Sequence, residues 1–347
     1  MPRFTSVPSS IYRAPLKASA LVLALAAATS AMAAENGNQR YSAGIGGSDM
    51  TTPVVPGLYF QAPMVAYHAS KIKGNDGKQL TNYVNPSYRA KVSIDTDTYA
   101  ILPRLTYISS HRLLGAHVGV TAMLPVVKRK ADFGLTTGSA VVDGFAGLSG
   151  IAAGMSGSET GIADLEVSPV MHWEIGDHQS VTFAPTIVMP LGDFKANQRV
   201  NTGFGDYYTF RPSVQYAFIG DGWDIGGRAV MSFNTRNKDT DYYSGKIFNF
   251  DWQAMAFVSE DIRVGVQGYF VRQLQADTVT PNASNAMTQK MLLDQNGNKA
   301  SVNAIGPAVA WLMNGGEMLI EGKFIKEFGA KNRTEGQAFW LTISKPL

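Results

Sequence analysis

From residue 57 onward, several stretches of this chain place an apolar side chain at every second position. Tyr208, Phe210, Pro212, Val214, Tyr216 and Phe218 form one row, with Thr209, Arg211, Ser213, Gln215 and Ala217 between them. A period of two puts the two sets on opposite faces of an extended strand. Leu165, Val167, Pro169, Met171 and Trp173 repeat the pattern around Asp164, Glu166, Ser168, Val170, His172 and Glu174. It returns near the end in Met318, Ile320, Gly322 and Phe324, and in Phe339, Leu341 and Ile343.

The pattern predicts strands near 57–69, 96–108, 113–127, 161–175, 179–191, 206–219, 223–234, 246–258, 262–274, 299–313, 317–328 and 335–345. The connections alternate in length. Short turns are expected at Ser109–Arg112, Gly176–His178, Gly220–Gly222, Ser259–Asp261 and Asn314–Gly316, each rich in the Gly, Asn, Asp or Ser of tight reversals. Between them run long polar segments near 70–95, 128–160, 192–205, 235–245 and 275–298, and a shorter one at 329–334. Short turns at one end and long loops at the other predict an all-β fold, a transmembrane antiparallel barrel of about twelve strands. A soluble β-sandwich is the competing architecture. Strand length favours the barrel: the ten steps from Tyr208 to Phe218, at about 3.3 Å each and tilted about 40°, rise roughly 25 Å, the height of a barrel's apolar band. Tyr208 and Phe210, with Tyr242, Tyr243 and Phe248, are expected at the outer aromatic girdle, and Tyr216, Phe218, Trp173 and Trp223 at the inner one.

The start of the chain reads differently. Arg3, Arg13 and Lys17 precede an apolar run from Ala18 to Ala28, and Ala31-Met32-Ala33 supplies small residues, so 1–33 reads as a secretory signal cut near Ala33. Residues 34–56 are expected to be an N-terminal periplasmic segment and 57–347 the barrel. Without the signal, 27 basic residues face 27 acidic ones, which gives no nucleic-acid footprint. The chain has no cysteine, so it has neither disulfides nor thiolate metal sites. After the signal no apolar run is long enough for a membrane helix.

Enzyme chemistry was sought in the five histidines, His68, His111, His117, His172 and His178. His172 falls on the polar face of its row, but spacing assigns it no serine partner. G-x-S-x-G, H-E-x-x-H, P-loop and G-x-G-x-x-G motifs are all absent. No catalytic residue, cofactor or metal is therefore expected. The inward-facing residues instead suggest a polar, mixed-charge path: Arg104, Asp164, Glu166, Arg211, Gln215, Arg228, Asp251 and Gln267. Their plainer role is to pair with one another and fill the barrel. The segment 131–161 is apolar for a loop and contains Phe133 and Phe145. It is expected either to fold inward, as a plug or a greasy mouth that receives solute, or to pack on itself or on the outer lipid.

Several stretches also resemble a known family: "PGLYF" at 56–60, "GIADLEVSPVMHW" at 161–173, "PLGDF" at 190–194, "NTGFGDYYTFRPSVQY" at 201–216, "YSG" at 243–245 and "IGPAVAW" at 305–311. In this order they resemble the MetA-pathway phenol-degradation family. The resemblance implies an exported barrel in the bacterial outer membrane, in contact with its lipid, associated with small hydrophobic or aromatic solutes. A passive uptake channel is then the leading expectation, with a lipid-modifying enzyme and a structural barrel without transport as alternatives.

Overall fold

A computed structural model describes residues 39–85 and 88–347. The signal segment and residues 34–38 lie outside the described residues. Twelve antiparallel strands form one closed sheet. They are β1 (Gly57–Lys73), β2 (Tyr88–Ile101 continuing as Arg104–Leu113), β3 (Ala116–Met123 and Val126–Thr136) and β4 (Gly157–Ile162 and Leu165–Glu174). Then come β5 (Gln179–Met189), β6 (Thr209–Gly220), β7 (Trp223–Asn234) and β8 (Ile247–Phe257). The last four are β9 (Ile262–Gln273), β10 (Ser301–Met313), β11 (Met318–Lys331) and β12 (Arg333–Pro346). Each strand pairs with the next, and β12 returns to β1 from Tyr59↔Pro346 to Lys73↔Arg333. Closure gives each of the twelve described strands a neighbour on both sides over at least part of its length, as an apolar surrounding requires.

The alternating rows point as the period of two demands. Tyr208, Phe210, Val214 and Tyr216 are exposed on the outer wall, while Thr209, Arg211 and Ala217 are buried inside. The same split holds at the end of the chain, with Phe324 and Phe339 exposed and Lys323, Ala338 and Trp340 buried. An apolar exterior around a polar interior inverts the soluble pattern and is the surface of a barrel that stands in lipid.

Some expectations shift. Ser109–Arg112 is not a turn: β2 runs on to Leu113 and reverses at Leu114-Gly115, both at positive φ (51° and 79°). An irregularity between Ile108 and Arg112 absorbs the offset that alternation alone does not reveal. Tyr242 and Tyr243 belong to a short ribbon with Thr278–Val279 in the loops, where the Tyr242 hydroxyl bonds Asp277, and not to the outer girdle. The 329–334 connection shrinks to Asn332, at φ 51°.

The breaks in β2, β3 and β4 lie side by side. Leu102 donates to the Pro63 carbonyl (2.8 Å), Leu124 to that of Pro103 (3.2 Å) and Ala163 to that of Pro125 (2.8 Å). Prolines contribute no N–H, so the regular ladder stops along one row from β1 to β4. The apolar core sits inside the ring. Leu102, Met123, Ile247, Tyr269, Val302, Ile325 and Trp340 pack around Tyr41 and Ile45, which precede the first strand.

Candidate functional site: the plugged lumen

The segment before β1, residues 34–56, was expected to be periplasmic. Its hydrogen bonds place residues 40–51 inside the barrel. The Arg40 guanidinium pairs with Asp164 (2.8 Å), donates to the Tyr207 carbonyl (2.6 Å) and lies 3.6 Å over the Tyr207 ring. The Tyr41 hydroxyl donates to Asp251 (2.7 Å), and the Gly44 and Gly46 amides donate to the same carboxylate (3.0 and 2.9 Å). The Ser48 amide donates to Glu321 (2.7 Å), and Lys323 Nζ donates back to the Gly46 carbonyl (2.6 Å).

Lower in the lumen a single 3₁₀ turn, Ser48–Met50, carries Asp49. Its Oδ2 receives Arg104 Nη2 at 2.7 Å and Arg228 Nη2 at 3.1 Å. Gln215 donates to the Met50 carbonyl (2.6 Å) and accepts from Arg228 (2.8 Å). Backbone groups of an irregular segment need partners when buried, and the wall's charged side chains supply them. Glycine is needed where wall and segment touch: a Cβ on Gly47 would lie 2.1 Å from Glu321 Oε1.

The expected lumen residues are thus brought together, chiefly as the socket of this plug. Arg104, Asp164, Arg228, Asp251 and Gln215 hold it directly, as above. Gln267 reaches it through Glu321 (2.8 Å). Glu166 takes an ion pair from Arg211, which also donates to the Arg40 carbonyl (3.2 Å). Phe133 lies apart, on β3, packed against Ile72 and Ile94. Phe145 falls in α1 (Ala140–Ala146), and its side chain is outside the described residues. After α1 comes α2 (Leu148–Met155), whose Leu148 and Ala152 are buried. The stopper is therefore 40–51. A glycine-rich "AGIGG" at 43–47 is its visible trace in the sequence; Asp49 lies in no periodic row, while Glu321 falls on the inward side of the Met318–Phe324 row.

Around the plug remain two main spaces. One, about 210 Å³, lies toward the end where β1 begins and β12 finishes, between Asp49, Tyr59, Thr106, Ile108, Met123 and Val170. The other, about 170 Å³, lies toward the long loops between Tyr41, Tyr67, Tyr269, Trp340, Arg129 and Arg333. A smaller space of about 100 Å³ adjoins it beneath the interrupted wall, lined by Leu102, Pro125, Ala163 and Val188. Tyr67 and Tyr269 both donate to Glu327, at 2.8 and 2.7 Å, and Arg333 pairs with it at 2.8 Å.

Of the histidines, His172 faces inward and its Nδ1 lies 2.8 Å from the Thr182 hydroxyl, across the ladder from His117. In the loops Asp277 is buried and accepts from Gly245 N (2.8 Å), Tyr242 Oη (2.7 Å), Gln273 Nε2 (2.6 Å) and Asn298 Nδ2 (3.1 Å). Burial outweighs these donors and pushes its carboxyl up to about 6.

Fold and lumen together define a twelve-stranded transmembrane barrel whose bore is stoppered by its own N-terminal segment. Residues 71–343 match the family described as "Putative MetA-pathway of phenol degradation", and the chain belongs to that family. Among solved structures it is similar to the COG4313 outer membrane channel from Pseudomonas putida F1, at 9% identity and a TM-score of 0.64, over 87% of this chain and 99% of that one. A FadL homologue from Pseudomonas aeruginosa aligns at 9% identity and a TM-score of 0.40, over 84% of this chain and 91% of that one. No curated protein matches in sequence.

Proposed function

We propose that this chain is an outer-membrane channel of a Gram-negative bacterium for the passive uptake of small hydrophobic or aromatic compounds. The observation that carries the reading is the lumen itself. A bore for hydrophilic solutes is an open aqueous channel; here residues 40–51 fill the centre and leave pockets walled by Tyr, Trp, Ile, Met and Val. Such concave, mostly apolar spaces with a few fixed polar groups suit small organic ligands. The space beside Leu102, Pro125, Ala163 and Val188 carries this apolar lining up to the wall. The outward-facing apolar rows meet outer-membrane lipid, and family membership agrees with an aromatic cargo.

The test is uptake by cells with and without the protein. A strain lacking it is expected to accumulate a labelled single-ring aromatic more slowly, with rescue by the intact gene, while proteoliposomes show little swelling in sugars. Equal accumulation with and without the protein would leave a structural barrel as the answer. Hydrolysis of lipid esters that a His172→Ala change abolishes would point to an enzyme.

A further inference from the structure

The loop-side cavity carries a charge that the wall does not match. Among the described residues, the other basic side chains that line the lumen each have a carboxylate at ion-pair distance: Arg40 has Asp164, Arg104 and Arg228 share Asp49, and Arg211 has Glu166. Arg263 has Asp224, Lys323 has Glu321 and Arg333 has Glu327. Arg129 on β3 is the exception. Its Nη1 donates to the Asn201 carbonyl (2.9 Å), and its guanidinium lies 4.9 Å over the Phe204 ring. Glu159 stands opposite it in the β3–β4 register without an ion pair, and Asp164, which lines the 100 Å³ space beside it, is already held by Arg40. A guanidinium has five donors in a planar fork, so one carbonyl leaves most of them for a ligand.

Arg129 lines both the 170 Å³ cavity and the adjoining 100 Å³ space. Trp340, 3% exposed, contributes its ring to the larger one. A partly buried cation with no ion-pair partner gains when an anionic oxygen reaches it, and a carboxylate fits a guanidinium with two parallel hydrogen bonds. Tyr41, Tyr67, Tyr269 and Ala338 offer surface for a flat apolar body, beside the Glu327–Arg333 pair, whose charges offset each other.

We infer that the loop-side cavity binds an aromatic carboxylate, with its carboxylate on Arg129 and its ring against the tyrosines and Trp340. The inference rests on the uptake reading and narrows its solute class. The test is calorimetric titration of the purified full chain in detergent with benzoate, benzyl alcohol and acetate. Benzoate is expected to bind at least about tenfold tighter than either, because the alcohol lacks the charge and acetate lacks the ring. Arg129→Gln should bring benzoate down to the level of benzyl alcohol and leave the alcohol unchanged. Equal affinity of the wild-type protein for benzoate and benzyl alcohol overturns the inference without any variant, as does a benzoate preference that survives Arg129→Gln. Because titration involves no transport, benzoate binding without cellular uptake of aromatics removes the channel reading alone. Uptake of neutral aromatics without benzoate binding removes this inference alone.

Discussion

Asp49→Asn is the most direct test of what holds the stopper. The change keeps the side chain's size and its hydrogen bond from the Gly47 amide (2.9 Å), and removes only the charge shared by Arg104 and Arg228. Those two guanidiniums reach inward from β2 and β7, which lie well apart around the ring, so Asp49 braces the segment between separate parts of the wall. The side chains are 5%, 15% and 13% exposed, so solvent screens the cluster weakly. Removing one member of a buried ion pair costs about 3–5 kcal/mol, since the partner stays buried without its counter-charge. At about 1.4 kcal/mol per factor of ten, the ratio of stoppered to open lumen falls by roughly two to three and a half orders of magnitude. Single-channel recording in planar bilayers reads that ratio as the fraction of time spent conducting. The variant should conduct far more of the time than the wild type. Adding Arg228→Met to Asp49→Asn should add little, because the first change has already broken the pair. Conducting time unchanged by Asp49→Asn would refute the view that this cluster latches the lumen.

Three further outcomes follow from local geometry. The Asp277 carboxyl is raised to about 6 in the folded loops, so its contribution to stability is full below the unfolded value near 3.9 and is lost as pH rises through 6; Asp277→Asn should remove that dependence from the exchange rate of the Gly245 amide. A Cβ on Gly203 would lie 2.5 Å from the Gly192 carbonyl carbon, so Gly203→Ala should lower the melting temperature of the folded barrel, an overpacking loss of about 1–3 kcal/mol. Arg40→Met removes the Asp164 pair and the stacking on Tyr207, and should speed hydrogen exchange at the Ala43 and Ile45 amides while leaving the strands protected.

Most of the wall was legible in the sequence because a lipid-facing strand must alternate. Tyr208 to Phe218 and Met318 to Phe324 show their outward faces without any knowledge of their neighbours. The tight reversals at Gly176, Gly220 and Asn314 were legible for a local reason too, since the turn needs residues that accept positive φ, as Gly176, Asn314 and Gly315 do. What alternation misses is any place where the period slips. The irregularity between Ile108 and Arg112 moved one turn toward Leu114, and the breaks at Leu102-Pro103, Leu124-Pro125 and Ala163-Asp164 show up as long strands in two pieces.

The lumen was legible only in part, and the reason is geometric. A period of two says that Arg104, Arg211, Arg228 and Asp251 face inward; it does not say what they meet there. In an open bore such charges would line a path for solute. Here the Asp251 carboxylate receives the Tyr41 hydroxyl and the Gly44 and Gly46 amides, and Asp49 gathers two arginines from separate strands, so their first partner is the chain itself. Residues 40–51 escaped notice because a segment satisfied by the wall needs no periodicity of its own: Asp49, the Ser48 amide and the Met50 carbonyl all answer to side chains more than fifty positions away. The exception is the informative residue. Arg129 fell within 128–160, expected from the sequence to be a loop, whereas the strand runs on to Thr136; only the matching of the other lumen cations to carboxylates marks it as the one among the described residues still open to a ligand from outside.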